Sequence, residues 1–286
     1  MAYRFLSAGL WPIANAAADY FKENWGVSSL RLEESICPDI ERRPTLHALT
    51  SDGHYLCVEV SESPYPTGLD SFVLDCRDNF LPVRLFVAIP AGSKDSNYKR
   101  DLDQARIRAV GVLEISGARV QVLQNALSQS LAGVRLVGPA RFPKKYRFQL
   151  SKAESTFRGG DPQKGCSLLY DEIESLSRRV AEKTYKKGYW RPSAPGARPL
   201  RIRFATHPWQ KLMSKVVEGL DPQRCRFLPP DLLGRVLGIT SHRNDSAHKL
   251  NSLRLVMKRD RELRTRFESA TDILFDLVNA SKPLRV

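Results

Sequence analysis

Arg243, Asn244 and His248 fall in one short stretch, Ser241-His242-Arg243-Asn244-Asp245-Ser246-Ala247-His248. Asn244 and His248 are four residues apart, so on a helix they share a face, and the amide can set the tautomer and orientation of the imidazole. Arg243 projects beside that face. An imidazole with a guanidinium next to it and no carboxylate cage suits metal-independent cleavage of RNA. In that chemistry His248 moves the proton of the 2′-hydroxyl or of the leaving 5′-oxygen, while Arg243 grips the phosphate and stabilises its transition-state charge. One histidine cannot conveniently deprotonate one oxygen and protonate the opposite one. Two copies facing each other across a symmetric interface serve better, which predicts a homodimer. The products would carry a 2′,3′-cyclic phosphate or 3′-phosphate and a 5′-hydroxyl.

A second set of residues offers different chemistry. Glu34, Asp39 and Glu59 are acids of the first half, and Ser61 stands two residues after Glu59. Pro38-Asp39 and Glu59-Val60-Ser61 resemble the motif of PD-(D/E)xK nucleases, and the resemblance implies that Asp39 and Glu59, with Glu34 as an extra acid, would hold a divalent cation such as Mg²⁺ or Mn²⁺, the alternative being a metal-dependent DNA nuclease. The lysine of that family falls at Ser61, and a neutral hydroxyl cannot take its role in orienting hydroxide or stabilising a pentavalent phosphate. In the main reading no metal or other cofactor is expected.

These residues need elements to position them. The first helix is read within Met1–Phe21, with Pro12 in its first turn and Gly26 as its stop. Short extended segments follow at Leu30–Ile36, Thr45–Thr50 and Tyr55–Ser61, the last two joined by the turn Ser51-Asp52-Gly53. A helical stretch over Leu69–Phe80 leads to a near-continuous apolar strand at Val83–Ile89. A charged helix, Tyr98–Ala109, and strands at Val110–Ile115 and Val120–Leu123 complete the first half. That order, with Pro38-Asp39 opening the meander and Glu59-Val60-Ser61 closing it, resembles the restriction-endonuclease-like PD-(D/E)xK fold. With Ser61 in place of the lysine, the resemblance implies a domain over residues 1–150 that senses or docks rather than cuts.

In the second half Asp161-Pro162 caps a helix carrying Leu169, Ile173, Leu176 and Val180, read as far as Lys187. Further helices are expected near Pro208–Leu220 and from Pro229 to Ser241. The last helix has the apolar stripe Leu263, Phe267, Ala270, Ile273, Leu274 and Leu277 behind a basic start that includes Lys258, Arg259, Arg261, Arg264 and Arg266. The expected fold is therefore an α/β N-terminal domain followed by an all-α helical bundle over residues 151–286. Within it, Arg243, Asn244 and His248 resemble the motif of the HEPN superfamily: Arg, a polar residue, a few more residues, then His, at the end of a bundle helix. Arg42 to His47 and Arg201 to His207 meet the bare spacing too, but Pro44 interrupts the first and the second lies in an extended segment. The resemblance implies a ribonuclease with a composite site built from two domains, an effector of the bacterial toxin or phage-defence kind, and a possible cognate antitoxin or activator as partner. A non-catalytic nucleic-acid-binding adaptor is the remaining alternative.

The charge distribution agrees with a polyanionic partner. Residues 1–150 hold 18 Lys and Arg against 16 Asp and Glu, and residues 151–286 hold 27 against 15, so the formal charge of +14 is nearly all C-terminal. Lys249, Arg259 and Arg264 are the expected contacts to RNA, with Trp190, in the Arg- and aromatic-rich segment Tyr185–Phe204, as a surface on which a base can stack. Cys37, Cys57, Cys76, Cys166 and Cys225 are odd in number and nowhere spaced as C-x-x-C, so neither a disulfide framework nor a zinc site is expected. No stretch approaches the roughly 20 apolar residues that span a bilayer. A cytoplasmic protein with no membrane partner is the expectation.

Overall fold

The computed structural model describes residues 3–37, 40–92, 96–135, 137–191, 202–241 and 252–285. Two compact units divide the chain: residues 1–134, 156–162 and 248–264 form the first, and residues 135–155, 163–247 and 265–286 the second.

The first unit is built on a six-stranded mixed sheet whose strands lie in chain order. β1 (Arg31–Leu32), β2 (Leu46–Leu49) and β3 (Tyr55–Val60) are antiparallel neighbours. β4 (Val83–Pro90) runs parallel to β3, β5 (Gly111–Ser116) runs parallel to β4, and β6 (Arg119–Gln124) returns antiparallel. Two helices make the parallel crossovers, α2 (Leu69–Asp78) between β3 and β4 and α3 (Tyr98–Ile107) between β4 and β5.

Alternation along the strands serves two cores. Leu56, Val58, Val60, Phe86, Ala88, Leu113 and Ile115 point to one face and pack with α1 (Trp11–Trp25) through Ala14, Ala17, Ala18 and Phe21. Cys57, Leu85, Val87, Ile89 and Val112 point to the other, against Leu69, Phe72, Val73 and Cys76 of α2 and Ala105 of α3. Covered on both faces, β4 is apolar along nearly its whole length, as a central parallel strand must be. Phe21 and Trp25 meet the Phe86 ring edge-on, at centroid separations of 5.1 and 5.5 Å.

The second unit is helical. It contains most of α4 (Lys144–Arg158) and α5 (Pro162–Lys186), all of α6 (Trp209–Gly219) and α7 (Pro230–Ile239), and α8 (Leu253–Ala280) from Thr265 onward. Leu169, Ile173, Leu176 and Val180 of α5 are buried at helical spacing, as are Phe267, Ala270, Leu274 and Leu277 of α8. Arg235 donates to Asp276 at 2.7 Å, and the Phe142 and Phe275 rings meet at 5.5 Å. The sequence reading places no helix over residues 144–158. Tyr146, Leu150, Ala153 and Phe157 are nonetheless buried there at spacings of four, three and four.

The expected fold class is overturned. The molecule is mixed α/β and 53% helical, and its sheet-bearing unit is not an N-terminal restriction-endonuclease-like domain followed by a separate all-α one. Residues 156–162 and 248–264 belong with the sheet. The physical reason lies in α8. Its first twelve residues bury Val256 and Asp260 in the first unit, where the acid is bonded to two serines from the segment after β6. Among the described residues no helix is long and apolar enough to cross a membrane.

Gly111 tests how tightly the upper core is packed. A Cβ there would stand 2.3 Å from Cδ1 of Phe86 and 2.8 Å from the Ala126 nitrogen. Gly111→Ala is expected to cost about 1–3 kcal/mol through overpacking, read as a lower urea midpoint with an unchanged slope. An unchanged midpoint would show that the Phe86 ring has room to yield.

Candidate functional site

Arg243, Asn244, His248 and Lys249 lie outside the described residues, as does Asp39. In the chain the motif falls between α7 and α8. Of the other expected RNA contacts, Arg259 and Arg264 are half-buried on α8, and the Arg264 guanidinium lies against Gly133. Trp190 is buried. Its indole N–H donates to Thr184 Oγ1 at 3.0 Å, its ring packs on Gly219, and Tyr185 and Phe204 meet it edge-on. A side chain so enclosed is a packing residue and offers no face to a base, which corrects its expected stacking role. Of the loop around it, residues 192–201 lie outside the described residues.

The carboxylates of the second set are not gathered into a cage. Glu34 is exposed and pairs with Arg31 at 3.6 Å. Glu59 is buried, and Arg42 Nε donates to its Oε1 at 2.6 Å while Thr45 donates to Oε2 at 3.3 Å. Arg42 also donates to the carbonyl of Gly68, tying the strand to the start of α2. The charge a divalent cation would neutralise is thus met by a guanidinium. Among the described residues no group of three or more His, Cys, Asp or Glu side chains is placed to hold a metal.

A different cluster stands at the N-terminal ends of β3 and β4, where Leu56 pairs with Arg84. The turn before β3 is closed by Thr50, whose hydroxyl bonds to both the amide and the carbonyl of His54. Gly53 takes a φ of +83° to complete it. This turn places Asp52 Oδ2 at 2.9 Å from Arg84 and 3.2 Å from Nδ1 of His54. On the other side of the ring, Nε2 stands 3.4 Å from Oδ2 of Asp260. Ser128 donates to the same oxygen at 3.0 Å, and Ser130 also bonds to it. Asp52, His54, Arg84, Ser128, Ser130 and Asp260 all belong to the first unit.

His54 and Asp260 are both buried. At these separations the imidazole contacts lack the alignment of good hydrogen bonds. A carboxylate at each ring nitrogen is best met by the doubly protonated ring, which has two donors. Burial opposes that charge, but Asp260 and Asp52 outweigh it and raise the His54 pKa above its ordinary 6.5. Desolvation likewise works against ionised Asp52, and the contacts from His54 and Arg84 overcome it, holding Asp52 well below the usual carboxylate range.

Sequence reasoning assigns nothing to His54 and reads Asp52 only as a turn residue. A usable signal was present in α8: Asp260 falls in phase with Val256, Leu263 and Phe267, all buried, so an acid stands in an apolar stripe. Such a residue needs a buried partner.

The raised His54 pKa sets the direction of a pH effect. Its contribution to stability is complete below about pH 6.5 and is lost as pH rises through the higher folded-state value. The contribution of Asp52 is present above its ordinary 3.8 and is lost as pH falls through its lowered folded-state value. The wild-type Tm is therefore expected to fall between pH 6 and pH 9, and His54→Gln to flatten that slope. Asp260→Ala, which leaves a buried cation with one partner fewer, is expected to cost about 3–5 kcal/mol in chemical denaturation. Equal slopes for wild type and His54→Gln would exclude a charged imidazole. No protein-family model, curated protein or solved structure matches the chain.

Proposed function

We propose that this protein is an RNA endonuclease of the HEPN type that cuts without a metal, using Arg243, Asn244 and His248. The observation that carries the reading is the Arg-Asn-x3-His sequence lying in the chain between two amphipathic helices, α7 and α8. The charge of +14 supports a polyanionic substrate, and α8 supplies Arg254, Lys258, Arg259 and Arg261 within its first ten residues.

The chemistry follows from the side chains. Transfer of the 2′-oxygen to phosphorus needs a base at the 2′-hydroxyl, an acid at the 5′-oxygen and a cation on the phosphoryl oxygens. Arg243 is the cation and His248 the proton-transfer group, with Asn244 fixing its ring. With one motif per chain, a homodimer supplies the second imidazole, so that one copy removes a proton while the other delivers one. The phosphorus–5′-oxygen bond breaks as the phosphorus–2′-oxygen bond forms, and the immediate product is a 2′,3′-cyclic phosphate with a 5′-hydroxyl.

No observation favours a metal-dependent DNA nuclease at Glu34, Asp39 and Glu59, since Glu59 is engaged by Arg42 and Thr45. End-labelled RNA and DNA, incubated with purified protein in EDTA or in Mg²⁺ and Mn²⁺, separate the readings. RNA cutting is expected to persist in EDTA, to drop by about 10²-fold or more in His248→Ala and Arg243→Ala, and to survive in Glu59→Gln. Cutting that requires metal and disappears with Glu59→Gln would place the chemistry in the sheet unit instead.

A further inference from the structure

An open cleft of about 450 Å³ in the first unit adjoins Asp52, lined by Asn24, Trp25, Asp52, Arg84, Asn125 and Gly160 among others. That is room for a nucleobase with its ribose. The Trp25 indole is braced edge-on by Phe21 at 5.4 Å and Phe86 at 5.5 Å. Against its ring lies the Arg84 guanidinium, 5.4 Å from the centroid and tied to Asp52 at 2.9 Å. Two independent contacts thus hold one flat cation in a fixed plane, and the Arg84 side chain is only 20% exposed. A guanidinium plane held in this way is a stacking surface for a planar heterocycle.

The polar groups around it fit the edge of such a ring. Asp52 keeps 39% of its side chain exposed. Arg84 and His54 approach its Oδ2, and Thr50 Oγ1 lies 2.5 Å from Oδ1, whose two lone pairs leave at least one acceptor position there. Asn125 is an exposed amide that can donate or accept, and exposed Asn24, which gives one N–H to the Tyr20 carbonyl, keeps its other N–H and its Oδ1. Gly160 has a φ of +97°, and a Cβ there would stand 2.9 Å from the Ala126 carbonyl oxygen, so only glycine lets this wall come so close. Among the lining residues the acids Asp52 and Asp161 outnumber the single cation Arg84, which disfavours a phosphate inside the cleft. A base can enter while its phosphates stay in solvent.

We propose that this cleft holds one unpaired nucleobase, stacked on Arg84 and bonded at its edge by Asp52 and the two amides, and that the base belongs to single-stranded RNA. The ribonuclease reading supplies RNA as the source of the base, and to that extent the proposal rests on it. The cleft is separate in sequence from Arg243, Asn244 and His248, so it acts as a binding subsite that selects unpaired substrate.

Binding is measured in EDTA on the full-length His248→Ala chain, by fluorescence anisotropy of a labelled ten-nucleotide RNA, single-stranded or annealed to its complement. Single-stranded RNA is expected to bind about tenfold tighter than the duplex. Arg84→Lys keeps the charge but removes the flat surface, and Asn125→Trp fills the cleft from an exposed position. Each is expected to weaken single-strand binding about tenfold and leave duplex binding unchanged, and Asn125→Trp, on the exposed rim, is expected to keep the wild-type Tm. Equal affinity for single strand and duplex, or single-strand binding untouched by both substitutions, would overturn the proposal. Calorimetric titration with the four 5′-mononucleotides separates the sources. Uptake of a mononucleotide that Arg84→Lys abolishes, without binding of the oligonucleotide, keeps the nucleobase chemistry and overturns RNA as its source. Binding that behaves as expected in a chain whose wild type never cuts RNA removes the ribonuclease reading and leaves the cleft assignment standing.

Discussion

A carboxylate taken out of water must be matched by charge or by hydrogen-bond donors, and Asp260 is such a group. It is 1% exposed, on the first half of α8, inside the sheet-bearing unit. Ser128 and Ser130 supply donors to it, and Nε2 of the His54 imidazole stands 3.4 Å away, with a pKa raised by the two acids that flank it. The far nitrogen of the ring faces a second carboxylate, Asp52, and Asp52 orients Arg84. A single buried acid on a C-terminal helix therefore organises a turn, a strand start and the wall of a cleft, all drawn from parts of the chain far apart in sequence.

The same rule governs the other buried acid of the sheet, with a different result. Glu59 is satisfied by Arg42 and Thr45, and Arg42 extends the connection to Gly68 at the start of α2. Removing the guanidinium would strand a buried charge, so this pair acts as a structural tie between β3 and α2. The two acids show how similar raw material is used in two ways. Glu59 is closed off by its partners, whereas Asp52, joined to Asp260 through the His54 ring, keeps part of its surface at an open cleft.

Function in this reading is divided between a short catalytic motif and a larger set of positive charges. Phosphate contacts give affinity without sequence information, and in the proposed function the basic residues of α8 supply them. Discrimination between paired and unpaired RNA needs a surface that meets the base itself. The fixed guanidinium of Arg84 is such a surface, whereas Trp190, for all its aromatic area, is spent on the helical unit's interior.

Local structure was legible in the amino-acid order because it depends on near neighbours. The alternation of β3, the apolar run of β4, Pro12 and Gly26 around α1, and the stripe of α8 each reflect which side chains share a face, and the elements form where those patterns lie. The motif of Arg243, Asn244 and His248 is legible for the same reason, as its logic is a spacing of four. What the order of residues could not decide is which unit a stripe joins. The stretch from Lys258 reads as the basic start of a bundle helix, and only tertiary packing assigns Val256 and Asp260 to the sheet-bearing unit, because the matching partners come from Ser128, Ser130 and His54. Trp190 and Glu59 teach the same lesson. A side chain's chemistry is local, but whether it is exposed to use that chemistry depends on contacts made by residues distant in the chain.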